Sequence, residues 1–133
     1  MVLTGALAGA ARGATLDVVV DNVRDSQGMV RVAVCSQAQF LGERCEHVGT
    51  APARPGSVTV RIEGVPPGIW AAQAFHDDNG TGKIERNFLG MPTKGLGFSN
   101  DARFRFGPPR WNDAAFQLAP AGGTIHVPLR YTF

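Results

Sequence analysis

Between Phe75 and Phe88 the chain reads FHDDNGTGKIERNF, a run dense in oxygen-bearing side chains. Asp77, Asn79 and Thr81 place oxygens at alternate positions, Gly82 permits a sharp turn, Lys83 offers its carbonyl, Ile84 can anchor to a core, and Glu85 follows. Alternate oxygens around such a turn converge on one hard cation, and the spacing follows the first two-thirds of a calcium-loop pattern. The pattern stops at Phe88, which stands where a bidentate Glu is needed, and no helix-period segment flanks the loop. The sequence therefore leaves two readings open. In one, Asp77, Asn79, Thr81, Lys83 and Glu85 hold Ca2+ weakly, at about 10⁻⁴ to 10⁻³ M, with Asn87, Asp101 or Asp113 completing the shell. In the other, Asp and Asn cap an ion-free turn in which the glycines relieve strain.

His76 beside Asp77 and Asp78 raises a different chemistry, since a carboxylate can orient an imidazole for general-base work. A metal-assisted hydrolase built on His76, Asp77, Asp78 and Glu85 is the alternative functional reading. Neighbours on a strand point to opposite faces, however, so His76 and Asp77 need not meet. No nucleophile accompanies them: Ser99 sits in GFSND, which lacks the second glycine of G-x-S-x-G and its strand-to-helix setting. The expected role of His76 is a strand-end side chain, and the chain is expected to be no enzyme. RFRFGPPRW, 103–111, interleaves arginines with aromatics as a nucleic-acid surface does. Thirteen basic against eleven acidic residues give a net charge of only +2, so the expectation is a half-buried strand with outward arginines, and nucleic acid is not an expected partner.

The elements that position these residues follow from periodicity. Leu16, Val18 and Val20 alternate with Asp17 and Val19, as do Val30, Val32 and Val34 with Arg31 and Ala33. The same period of two recurs in Val58, Val60 and Ile62, in IWAAQAFH, and in Ile125, Val127, Leu129 and Tyr131. Weaker strands are expected at RFRF, 103–106, and AAFQL, 114–118, with turn signals such as GVPPG and PAGG between elements. With 17 glycines, 9 prolines and no long helical period, the expected fold is all-β: an antiparallel Greek-key sandwich of about seven strands, with one long ordered loop. The length suits a single domain over 15–133.

The first 14 residues, small, apolar and without acidic members, are expected to be the remnant of a secretory leader or a disordered extension. No other segment approaches the roughly 20 apolar residues of a membrane span. Cys35 and Cys45, separated by SQAQFLGER, are expected to form one disulfide in a periplasmic or secreted protein.

PPGIWAAQAFHDDNGTGKIERNFLGMPTKGLGFSND followed by FGPPRWNDAAFQL is similar to the motif order of a family of small exported bacterial proteins, domain of unknown function 2141. That order runs PG-x-Y, HD-x-N-x-N-G-x-x-D, G-x-P-x-E-G-x-G-F-S-N, then G-x-P-x-F-x-x-A-x-F. Trp70 stands where Tyr is usual, Thr81 where Asn is common, Glu85 where Asp is common and Lys94 where Glu is common. The resemblance implies a prealbumin-like (transthyretin-like), immunoglobulin-like sandwich in the cell envelope with no established activity, and Lys94 removes a possible acidic ligand.

The function expected from these readings is a non-catalytic binding or structural module that contacts a protein, glycan or small ligand of the envelope. Loops on a rigid sandwich are common recognition sites. Phe88, Phe98 and Trp111 are expected to supply contact area, Arg103, Arg105 and Arg110 a rim, and His76, Asp78 and Asn100 polar contacts.

Overall fold

The computed structural model describes residues 13–42, 44–84 and 94–132. Residues 1–12 of the expected leader, Glu85, Asn87 and Phe88 lie outside them, whereas Ala14, placed by the sequence in the leader, is the buried first residue of a strand. Eight strands run in the order β1 (Ala14–Val23), β2 (Met29–Cys35), β3 (His47–Pro52), β4 (Gly56–Val65), β5 (Gly68–Asp77), β6 (Leu96–Phe98), β7 (Phe116–Leu118) and β8 (Gly123–Pro128). A one-turn 3-10 segment (Ser99–Asp101) follows β6, and a four-residue helix, α1 (Trp111–Ala114), precedes β7.

The strands form two sheets, and the fold is an all-β sandwich. One sheet has the order β4-β1-β8, and the other the order β3-β2-β5-β6, with β7 also paired to β5. β1 is antiparallel to β4 but parallel to β8, with Val18 opposite both Val60 and Ile125. β5 holds β2 along one edge, while its other edge is shared: β7 takes Gly68–Trp70 and β6 takes Gln73–Phe75. The GVPPG turn joins β4 to β5 and so carries the chain from one sheet to the other. Trp70 clasps it by donating its indole N–H to the Pro66 carbonyl at 2.7 Å.

Alternation places Leu16, Val18 and Val20 of β1, Val30, Val32 and Val34 of β2, and Val58, Val60 and Ile62 of β4 in the core between the sheets. Ala72 and Ala74 of β5 face the same core. Ala71 and Phe75, on the opposite face of β5, belong to a second apolar cluster with Leu96, Phe98, Ala114, Phe40, Phe104 and Trp111. β5 is therefore buried on both faces, which is why IWAAQAF reads as a nearly continuous apolar run.

Three elements depart from the sequence expectation. Residues 103–106 form no strand. Phe104 packs against Phe98 with ring centroids 6.2 Å apart, while Phe106 turns out to solvent at φ +59° and the Arg105 amide donates to the Gly107 carbonyl at 2.9 Å. That turn leaves the RFRF backbone unable to continue a ladder. Conversely, β3 and β6 were not expected. β3 carries Gly49 and Pro52 in a weak alternation, and β6 has only three residues, all buried.

Cys35, at the end of β2, is bonded to Cys45 just before β3, with Cα atoms 4.9 Å apart. The bond closes the connection between two paired strands. Reduction is expected to lower the unfolding free energy by about 3 kcal/mol through the larger entropy of the open chain. Urea unfolding with and without dithiothreitol measures this, and coincident curves would refute a stabilising role.

Candidate functional site

β5 ends by delivering His76 and Asp77 to opposite faces of its sheet, and both are buried. His76 points to the inter-sheet side. Its Nδ1 lies 3.0 Å from the Tyr131 hydroxyl and its Nε2 2.7 Å from the Gln27 carbonyl. Asp25 stands 3.5 Å from Nε2 at the rim. Tyr131 also accepts the Arg24 amide at 2.8 Å, and its phenol is raised by burial against the lowering effect of that bond. Both imidazole nitrogens are thus engaged within the chain, and His76 is 1 % exposed. A general base has to reach the proton it abstracts. His76 instead ties the turn after β1 to the chain after β8.

Asp77 points to the other face, with no exposed surface. Its Oδ2 accepts Arg31 Nε at 2.6 Å and the Gly82 amide at 2.8 Å; its Oδ1 accepts Lys94 Nζ at 2.7 Å and the Thr81 amide at 3.1 Å. Met29 and Phe75 sit opposite Asp77 and Arg31 in the β2–β5 ladder, so Arg31 is the diagonal neighbour on the same face, within reach of a long side chain. Burial alone would raise the Asp77 carboxyl. The bonds from Lys94, Arg31 and the Gly82 amide outweigh it and hold the group well below the usual carboxylate range.

The loop after Asp77 turns its oxygens towards one point. Lys94 Nζ lies there, 2.8 Å from Asn79 Oδ1, 2.8 Å from Thr81 Oγ1 and 3.0 Å from the Lys83 carbonyl. Of the five ligands expected for Ca2+, Asp77, Asn79, Thr81 and Lys83 are brought together, and Glu85 lies outside the described residues. The cation they face is the ammonium of Lys94, whose side chain is 2 % exposed. As the chain stands this cradle does not fit a divalent ion, because Nζ fills its centre. Among the described residues no group of three or more His, Cys, Asp or Glu is placed to hold a metal.

The remaining expected contact residues are dispersed. Asp78 is half-buried in the turn beside Gly28, whose φ of +70° and close approach to the Asp77 carbonyl leave no room for a Cβ. Phe98 is 3 % exposed and packs edge-on against Phe40, at 6.1 Å between centroids. Trp111 is half-buried against the same Phe40 ring at 5.9 Å. Asn100, at φ +59°, donates its side-chain amide to the Ala115 carbonyl at 2.8 Å. Ser99 is buried; its hydroxyl accepts the Ala72 amide at 2.9 Å and donates to the Ala114 carbonyl at 2.5 Å, so it pins α1 to β5.

Sequence reasoning missed Lys94 and Arg31 as partners of Asp77. Arg31 carried no signal beyond its place on an alternating strand. Lys94 did: a basic residue stands in the motif where an acidic one is common.

The profile of a bacterial family described as "Uncharacterized protein conserved in bacteria (DUF2141)" matches residues 18–126, and the chain belongs to that family. No curated protein and no solved structure matches it.

Because Asp77 is held below its unfolded value near 3.9, it adds stability that is complete above about pH 4 and is lost as pH falls through the lower folded value. Asp77→Asn is expected to cost about 3–5 kcal/mol at neutral pH, since two cations lose their counter-charge, and to flatten the acid dependence. Urea unfolding across pH 2–7 tests both, and an unchanged acid slope in the variant would assign that slope elsewhere.

Proposed function

We propose that this member of the family is a non-catalytic binding module of an oxidising compartment, periplasmic or extracellular, that takes an acidic peptide segment at its 101–113 end. The observation that carries this reading is the division between committed and uncommitted polar groups. Around β5, His76, Asp77, Asn79 and Ser99 are spent on internal bonds. At the 101–113 end some charged groups remain uncommitted. A cleft of about 460 Å³ is lined by Arg103, Arg105 and Arg110, together with Asp101 and Asp113.

The two carboxylates there are already occupied. Asp101 accepts Arg130 at 2.8 and 3.0 Å and Arg103 at 3.2 Å, and Asp113 caps α1 by accepting the Arg110 amide at 3.0 Å. Arg105 and Arg110 form no ion pair among the described residues, so two guanidinium groups are left to meet carboxylates. Phe106 stands between them in sequence, fully exposed at φ +59°, a conformation that is an outlier for a bulky residue. Strain of this kind concentrates at functional sites, and an exposed aromatic flanked by arginines has the composition of a binding hot spot. The Cys35–Cys45 bond supports the compartment. Among the described residues no helix is long and apolar enough to cross a membrane.

Fluorescence anisotropy with labelled polyglutamate tests the reading. Binding is expected at low ionic strength, weakening as salt screens the charges, and falling at least about tenfold in Arg105→Glu/Arg110→Glu, equivalent to roughly 1.4 kcal/mol. Phe106→Ser is expected to weaken it less. Equal affinity in the double variant, or tighter binding to a sulfated glycan or to anionic vesicles than to polyglutamate, would overturn it.

A further inference from the structure

The chain supplies its own positive charge to the oxygens that its loop turns inward. Asp77, Asn79 and Thr81 contribute side-chain oxygens at alternate positions and Lys83 a carbonyl, all within 2.7–3.0 Å of Lys94 Nζ. That is the order in which a loop presents oxygens to a hard divalent cation. The separations are those of N–H···O bonds and exceed the 2.3–2.6 Å of calcium–oxygen contacts. An ammonium has three hydrogens to give, and among the described residues four oxygens already surround it. The shell therefore solvates a charge instead of matching donors one to one. Arg31 adds its guanidinium to the other oxygen of Asp77, and the Phe75 ring centroid lies 6.0 Å from Nζ, closing the apolar side of the site.

We infer that Lys94 is a tethered replacement for a divalent cation. Its ammonium folds the loop from the far end of the 77–94 segment, so the loop takes this shape with no added ion. The oxygen cradle itself retains the chemistry of a calcium site. Lys94→Glu would exchange the central positive charge for a carboxylate facing Asp77, with the Asn79, Thr81 and Lys83 oxygens still in place. Two facing carboxylates repel unless a hard cation lies between them, and the site becomes one that Ca2+ relieves.

Thermal unfolding in chelator and in millimolar CaCl2, with calorimetric titration alongside, tests this in the full chain. The unaltered protein is expected to unfold at the same temperature in both buffers. Lys94→Glu is expected to unfold earlier in chelator and to recover by roughly 4–8 °C when calcium exceeds its dissociation constant about tenfold, with a smaller response to Mg2+, which demands stricter octahedral geometry. A calcium response in the unaltered protein, or none in a folded Lys94→Glu variant, would overturn the inference. Should that variant fail to fold in either buffer, the unaltered chain decides. Only two lysines are present, Lys83 and Lys94, and one ammonium is expected to give a side-chain 15N signal protected from solvent exchange. Absence of that signal would equally refute the tethered cation.

Discussion

A carboxylate that loses all contact with water must be neutralised by its own chain, and Asp77 imposes this requirement on everything around it. Removing a carboxylate from water costs several kcal/mol even after relaxation, and the return comes only if charge and hydrogen bonds are placed accurately. Arg31 supplies one charge from the neighbouring strand, and Lys94 the other from beyond the loop. The Thr81 and Gly82 amides complete the shell from within the turn. Strand register, loop path and the return of the chain towards β6 all converge on two oxygen atoms. The same geometry leaves the Asp77 carboxylate no exposed surface.

The second organising feature is the double burial of β5. A strand covered on one face only would leave Ala71 and Phe75 in water. Here the segments on either side of α1, together with the disulfide-closed connection, cover them. Ser99 bonds both to β5 and to the last carbonyl of α1, and Phe40 bridges Phe98 and Trp111 by edge-on contacts. This outer layer borders the 101–113 end, where Phe106 stands at φ +59°. Recognition by loops depends on such support.

The regular parts of the fold were readable from the sequence because burial on one face writes a period of two. β1, β2 and β4 each bury alternate residues, and their valines declare it. β6 could not be read that way, since three residues buried throughout carry no period. RFRF alternates perfectly and is nonetheless no strand, because one of its aromatics packs on Phe98 while the other faces water. At the site, the convergence of Asp77, Asn79, Thr81 and Lys83 was one of two readings that the spacing left open, because alternate oxygens around a turn can either face one cation or cap the turn itself. The identity of the cation was not readable. It comes from a residue 11 positions beyond Lys83, and spacing rules describe only the segment that supplies the oxygens.

The parallel pairing of β1 with β8 bears on how the molecule is made. β1 is the middle strand of its sheet, yet one of its two neighbours is β8, the last of the described strands, with Asp17 opposite Thr124 and Val19 opposite His126. Contacts of such sequence separation are entropically costly to form early and slow the folding of β proteins. Until residues near 128 are available, the first strand keeps one edge unpaired and adhesive. β8 therefore acts as a latch on β1: without it the β4-β1-β8 sheet stands open along the strand that its other partner, β4, leaves uncovered.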